Sequence, residues 1–181
     1  IGAIGGLILG LVTSFKKHLS PITAPLYCVA QGLFLGGFSS TLEMSYPGIV
    51  IQAVGMTFSV LFCLLGAYKS GLIKATENFK LGVAAATGGI MLMYFVSFIM
   101  SLFGVQLLSI NNSSPFSIGI SLIVCAIAAL NLVMDFDFIE NASEQNTPKY
   151  MEWYAAFGLM VTLIWLYIEI IRLLAKLRDR R

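Results

Sequence analysis

Charge is what this sequence lacks most. Only 11% of its 181 residues are Asp, Glu, Lys or Arg, against roughly 25% in soluble domains. Between Leu81 and Met134 more than fifty consecutive residues carry no charge at all. The net formal charge of +2 is small and its Lys and Arg are scattered, which excludes the basic footprint of a nucleic-acid binder. Histidine is nearly absent: His18 stands beside Lys16 and Lys17 with no second ligand near it, and reads as solvated. Cys28, Cys63 and Cys125 are isolated in apolar runs without CxxC spacing, so they read as small hydrophobes rather than redox or metal ligands. No HExxH, no phosphate-binding loop and no nucleophile–base pair is present, which leaves no enzyme reading.

What is abundant is apolar surface, at 58% of residues and a mean hydropathy of +0.88. The chain reads as an integral membrane protein in one domain, 1–181, with the lipid bilayer as its first partner. Polar punctuation divides it into six apolar segments, roughly 1–15, 23–42, 48–68, 81–104, 116–139 and 153–176. The runs are continuous rather than alternating, and backbone groups in lipid must be satisfied internally, so the segments are helices and not barrel strands. Pro21, Pro25, Pro47, Pro115 and Pro148 fall at or near segment starts, where a missing N–H costs little. The first segment, about 15 residues, is short of the roughly 20 a full span needs. It also lacks the basic start and small-residue end of a signal peptide, so the expectation is a helix whose beginning lies upstream of Ile1. Small residues at GxxxG spacing (Gly6/Gly10, Gly32/Gly36) and the run AAATGG at 84–89 predict close helix packing within the bundle.

Orientation is contradictory. The loop after the first segment carries Lys16, Lys17 and His18, and the loop after the third carries Lys69, Lys74 and Lys80. The loops on the opposite face, 43–47 and 105–115, contain no Lys or Arg, so the first face is cytoplasmic by the positive-inside rule. Six crossings nevertheless put the basic tail KLRDRR on the other face. Either the last segment does not cross fully or the tail departs from the rule.

An ionisable group at membrane depth costs about 2.5–3.5 kcal/mol and is a functional candidate by default. Glu77, Glu140, Glu144 and Asp179 read as solvated loop or tail residues, and Glu152 as an acid favoured at the start of the last helix. Asp135, Asp137, Glu43 and Glu169 remain. Glu169 lies in LIWLYIEIIRLL with Arg172 three residues on, so an i,i+3 ion pair that only lowers the insertion cost is the bland alternative. Asp135 and Asp137 differ by about 200° around a helix, so one partner cannot face both. Asn131 lies one turn before Asp135 on the same face, which makes Asp135 the inward candidate and Asp137 the interfacial one. The alternative is that both end the helix into water, although an acid near a helix C-terminus opposes the dipole. Burial raises the pKa of a carboxyl group, a second carboxylate raises it further, and two together can share one proton. Deprotonated, such groups accept a hard cation such as Ca²⁺.

Four stretches in order, SPITAPLYCVAQGLFLGGFSSTLE, YPGIVIQAVGMTF, LVMDFDFIE and LIWLYIEIIRLL, resemble the Bax inhibitor-1 family (transmembrane BAX inhibitor motif proteins), closest to its bacterial YccA/YetJ-like branch. The resemblance covers nearly the whole chain. It implies an all-α polytopic bundle of seven helices, six around a central last one, so that six are in this chain and the first lies upstream. It implies a bacterial cytoplasmic membrane, no cofactor, and a pH-sensitive Ca²⁺ leak gated by paired acids on the last two helices. Asp135 matches the first acid and Glu169 the second, where better-known members have aspartate; these two are the candidates for transient Ca²⁺ contacts. Glu43 matches an acid at the end of an early helix, Lys16 and Lys17 a basic cluster that could pair with the gating acids, and Gln31 a position expected to be acidic. The stretch ENASEQNTPKY is longer than in the smaller bacterial members. The expected function is therefore a proton-gated Ca²⁺ leak with an Asp135–Glu169 latch. Its rivals are a regulator that binds other membrane proteins and a proton-coupled transporter, the latter disfavoured by the lack of a visible internal repeat.

Overall fold

The computed structural model describes residues 2–103, 114–145 and 147–180. Among them the regular structure is entirely helical: α1 (Gly2–Phe15), a 3₁₀ turn (Lys17–Leu19), α2 (Ser20–Ser45), α3 (Ile49–Lys69), α4 (Glu77–Leu102), α5 (Pro115–Glu144) and α6 (Tyr150–Asp179). Five stretches, Lys17–Ser45 and the helices α3 to α6, are long and apolar enough to cross a membrane; α1 is shorter. The uncharged connection expected over 105–115 lies, up to 113, outside the described residues, as does Gly104.

α2, α5 and α6 extend beyond their apolar runs at both ends and α4 at its start, whereas α1 and α3 match theirs to within a residue at each end. The acids of DFDFIE do not end α5: Asp135, Asp137 and Glu140 are all within it, and it runs on to Glu144. Glu and Ala are good helix formers where water or headgroups solvate them, and Asn141 Nδ2 donates to the Asp137 carbonyl at 2.7 Å. Glu77 and Lys80 likewise belong to the first turn of α4, behind a Thr76 cap whose hydroxyl accepts the Phe79 N–H. Pro21 sits in the first turn of α2 as expected, whereas Pro25 lies inside that helix.

α6 is the centre of the bundle. It packs against α5, α2, α3 and the 3₁₀ turn, and Leu166, Ile170 and Ile171 are buried on it. With Ile49, Ala53, Ala128, Leu132 and Phe136 they form one core cluster. α1 pairs with α2 through small residues: a Cβ on Gly6 would meet the Gln31 side chain and one on Gly10 the Tyr27 ring. Gly32 and Gly36, and Gly88 and Gly89 of the AAATGG run, have open space instead, so only the first GxxxG pair serves packing inside this chain. α2 turns into α3 through Tyr46–Pro47–Gly48. Gly48 has φ 82°, a left-handed conformation that other residues adopt only with strain.

Chain ends and loops settle how the helices alternate. Lys17 stands over the Tyr154 ring at 5.0 Å, so the α1–α2 turn lies with the start of α6. At the opposite end Arg178 donates to the Pro47 carbonyl at 2.8 Å and to Gln52 Oε1 at 3.1 Å, and the Tyr46 hydroxyl donates to Asp179. The last helix therefore runs the whole length of the bundle, about 45 Å for 30 residues. At that end Lys176 and Arg178 of the basic tail are tied into the protein itself.

Candidate functional site

The two central acids occupy opposite halves of the α5–α6 seam. These helices run antiparallel, so Asp135, near the end of α5, faces the first half of α6. Its carboxylate has Thr162 beside it, and its Oδ1 lies 3.7 Å from where a Cβ on Gly158 would stand. Its Oδ2 is buried and meets no hydrogen-bond donor among the described residues. Asp135, Gln31, Tyr27 and Ser14 line a cavity of about 850 Å³ that is mostly apolar. Gln31, the position where an acid was expected, thus shares a cavity with Asp135.

Glu169 lies seven residues beyond Thr162, or roughly 10 Å further along α6. It is only 2% exposed. The Tyr94 hydroxyl of α4 donates to its Oε1 at 3.0 Å, and Arg172 Nη1 approaches the same oxygen at 3.5 Å. Glu169 lines a second cavity, of about 250 Å³, with Tyr94, Ser121, Arg172 and Lys176, and with Tyr46 and Asp179 at the end of α6. The hydrogen bond to Asp179 holds the Tyr46 phenol above its ordinary pKa. Between the levels of the two acids, Ala128, Leu132 and Leu166 are essentially inaccessible. Asp135 and Glu169 therefore do not form the shared-proton pair that their positions on adjacent helices suggested. Residue matching fixes which helix carries an acid but not the axial offset between helices, and here that offset is about two turns.

The other candidates separate too. Asp137 turns away from Asp135, as the 200° offset requires, and meets Lys80 Nζ at 2.8 Å and Asn141 Nδ2 at 3.0 Å. Glu43 accepts from the backbone N–H groups of Gly48 at 2.5 Å and Val50 at 3.1 Å. It therefore caps the N-terminus of α3, where the dipole favours a carboxylate. Asn131 donates to Thr87 Oγ1 on α4 at 2.8 Å, which joins α4 to α5 one turn below Asp135. Lys16 and Lys17 are exposed, and Lys17 stacks on Tyr154 rather than meeting a gating acid. Arg172 does form the i,i+3 pair with Glu169. Among the described residues no three His, Cys, Asp or Glu side chains gather as a resident metal site would require.

Over residues 1–179 the sequence matches the Bax inhibitor 1 like family. The chain belongs to that family. No curated protein and no solved structure matches it. As a Bax inhibitor 1 like chain with five membrane-length apolar helices, it is an integral membrane protein built as a polytopic helical bundle around its last helix.

One member of this site escaped the sequence reading. Lys176 is only 8% exposed, and its Nζ donates to the buried Ser121 Oγ at 2.7 Å. The signal was present: Lys176 lies seven residues after Glu169, which returns it to the same helix face. It was masked by the KLRDRR run, which reads as a solvated tail.

Proposed function

We propose that this Bax inhibitor 1 like protein is a pH-sensitive leak for Ca²⁺ in which Asp135 and Glu169 act as separate, proton-sensitive carboxylates, one in each half of the bundle. The observation that supports it is the pair of cavities beside α6, one lined by Asp135 and the other by the buried Glu169, with the Leu132–Leu166 layer between them. A protonated carboxyl is neutral and offers a hard cation little. Deprotonated, it supplies the oxygen ligand Ca²⁺ prefers, and its unbalanced charge in a low-dielectric interior favours rearrangement of the layer. The reading predicts a flux that increases as pH rises. The family match supports a membrane protein of this type, and the absence of a nucleophile–base pair in the sequence supports a non-enzymatic role.

The test is Ca²⁺ flux into proteoliposomes at about pH 6 to 8, for wild type, Asp135→Asn and Glu169→Gln. Flux that rises with pH, with the rise blunted in each variant, supports the reading. A wild type that passes no Ca²⁺ at any of these pH values sinks it. The second reading, a regulator that binds other membrane proteins, is favoured by the open face at Gly32, Gly36 and Gly37 of α2. It predicts that both variants leave flux unchanged.

A further inference from the structure

The Glu169 cavity contains a cation of its own. Glu169 and Asp179 contribute two negative charges to its lining, Arg172 and Lys176 two positive ones. The two cations differ in kind. Arg172 is half exposed, with its guanidinium able to reach the edge of the bundle. Lys176 is buried, and Ser121, itself only 4% exposed, holds its Nζ at 2.7 Å. An ammonium has three donors, and a hydroxyl cannot offset the cost of burying its charge; an opposite charge nearby can. Glu169 lies seven residues earlier on the same face of α6 and lines the same cavity. The polar and charged groups that line this cavity with Glu169 are Arg172, Lys176 and Asp179 from α6, Tyr94 from α4, Ser121 from α5 and Tyr46 after α2. Of these, only Lys176 is a buried full charge.

We infer that Lys176 is a tethered counter-ion that occupies the Glu169 cavity in place of a free cation, so that a divalent cation binds at Glu169 only against the Lys176 charge. Lys176 thereby sets the cation affinity of this half of the protein, because removing its ammonium leaves the cavity one unit more negative. The inference rests on the leak reading for its physiological meaning, since it concerns the same carboxylate, but it makes a binding prediction that needs no flux.

The experiment is Tb³⁺ binding to the purified protein in detergent, read as luminescence sensitised by tyrosine, since the Tyr94 hydroxyl touches Glu169. Lys176→Gln is expected to tighten the sensitised site by about tenfold or more, the order expected when a neighbouring unit charge is removed at an effective dielectric near 20. Lys176→Arg, which keeps the charge, stays close to wild type, and Glu169→Gln in the Lys176→Gln background abolishes the gain. Unchanged affinity in Lys176→Gln overturns the inference, as does a gain that survives Glu169→Gln or appears equally in Lys176→Arg. Should Lys176→Gln not fold, Lys176→Met, which also removes the charge, carries the test with the same expected tightening, and unchanged affinity overturns the assignment. If wild type passes no Ca²⁺ while Lys176→Gln gains its site, the leak reading falls and the counter-ion assignment stands.

Discussion

At the scale of single residues, burial and partners divide four acids that look alike in the sequence. Glu43 works through two backbone N–H groups at the start of α3. Glu43→Gln weakens both bonds, because a neutral amide accepts less strongly than a carboxylate, and it should lower the unfolding midpoint by a few degrees. The pH profile of flux should remain that of wild type; a shifted profile with unchanged stability would return Glu43 to the ion path. Asp137 is tied to Lys80, so Asp137→Asn should loosen α4 against α5, read as faster amide exchange in the first turns of α4. Asp135 and Glu169 have no comparable surface role. Their residue types and helices were legible in the sequence, as was the i,i+3 pair of Glu169 with Arg172. Their separation was not, because it depends on how far α6 is displaced along α5. Lys176 was hidden for a related reason: a basic run at a chain end looks solvated until the fold closes over its first member.

At the scale of elements, hydrophobic runs located every helix, and errors were confined to polar helix ends. DFDFIENASE remains helical because an exposed polar face costs a helix little, and no sequence signal stops it before Gln145. Helix pairing was less legible, since both GxxxG pairs look alike and only Gly6/Gly10 is used between α1 and α2. A Cβ at position 6 would lie 2.6 Å from Gln31 Nε2 and 3.0 Å from Gln31 Cδ. Gly6→Ala forces the Gln31 side chain to move and should forfeit the helix-propensity gain, whereas Gly32→Ala has open space and should be neutral or gain up to about 1 kcal/mol from helix propensity. Unfolding of the two variants in one detergent compares them directly, and equal effects would contradict the α1–α2 contact described here.

At the scale of the whole molecule, the charge distribution follows from which cations the fold absorbs. Lys17, Lys69 and Lys74 lie at one end of the bundle, while Lys176 and Arg178 at the other are held by Ser121, Pro47 and Gln52. A cysteine at position 74 and a tag after residue 181 should be labelled from opposite sides of a vesicle, once the exposed Cys63 is replaced. Labelling from the same side would mean that α6 does not cross. The central claim, however, is that Asp135 and Glu169 are two independent proton-sensitive sites rather than one pair. The most direct measurement is the Ca²⁺ flux of wild type, Asp135→Asn, Glu169→Gln and the double variant across the same pH range. Sites separated by about 10 Å without shared partners act additively. The account predicts that flux in wild type rises with pH and that each single change lowers the high-pH flux. The double variant should then lose the product of the two, within about twofold. A double variant no worse than either single one would contradict it, and would mean that the two carboxylates work as a single coupled pair.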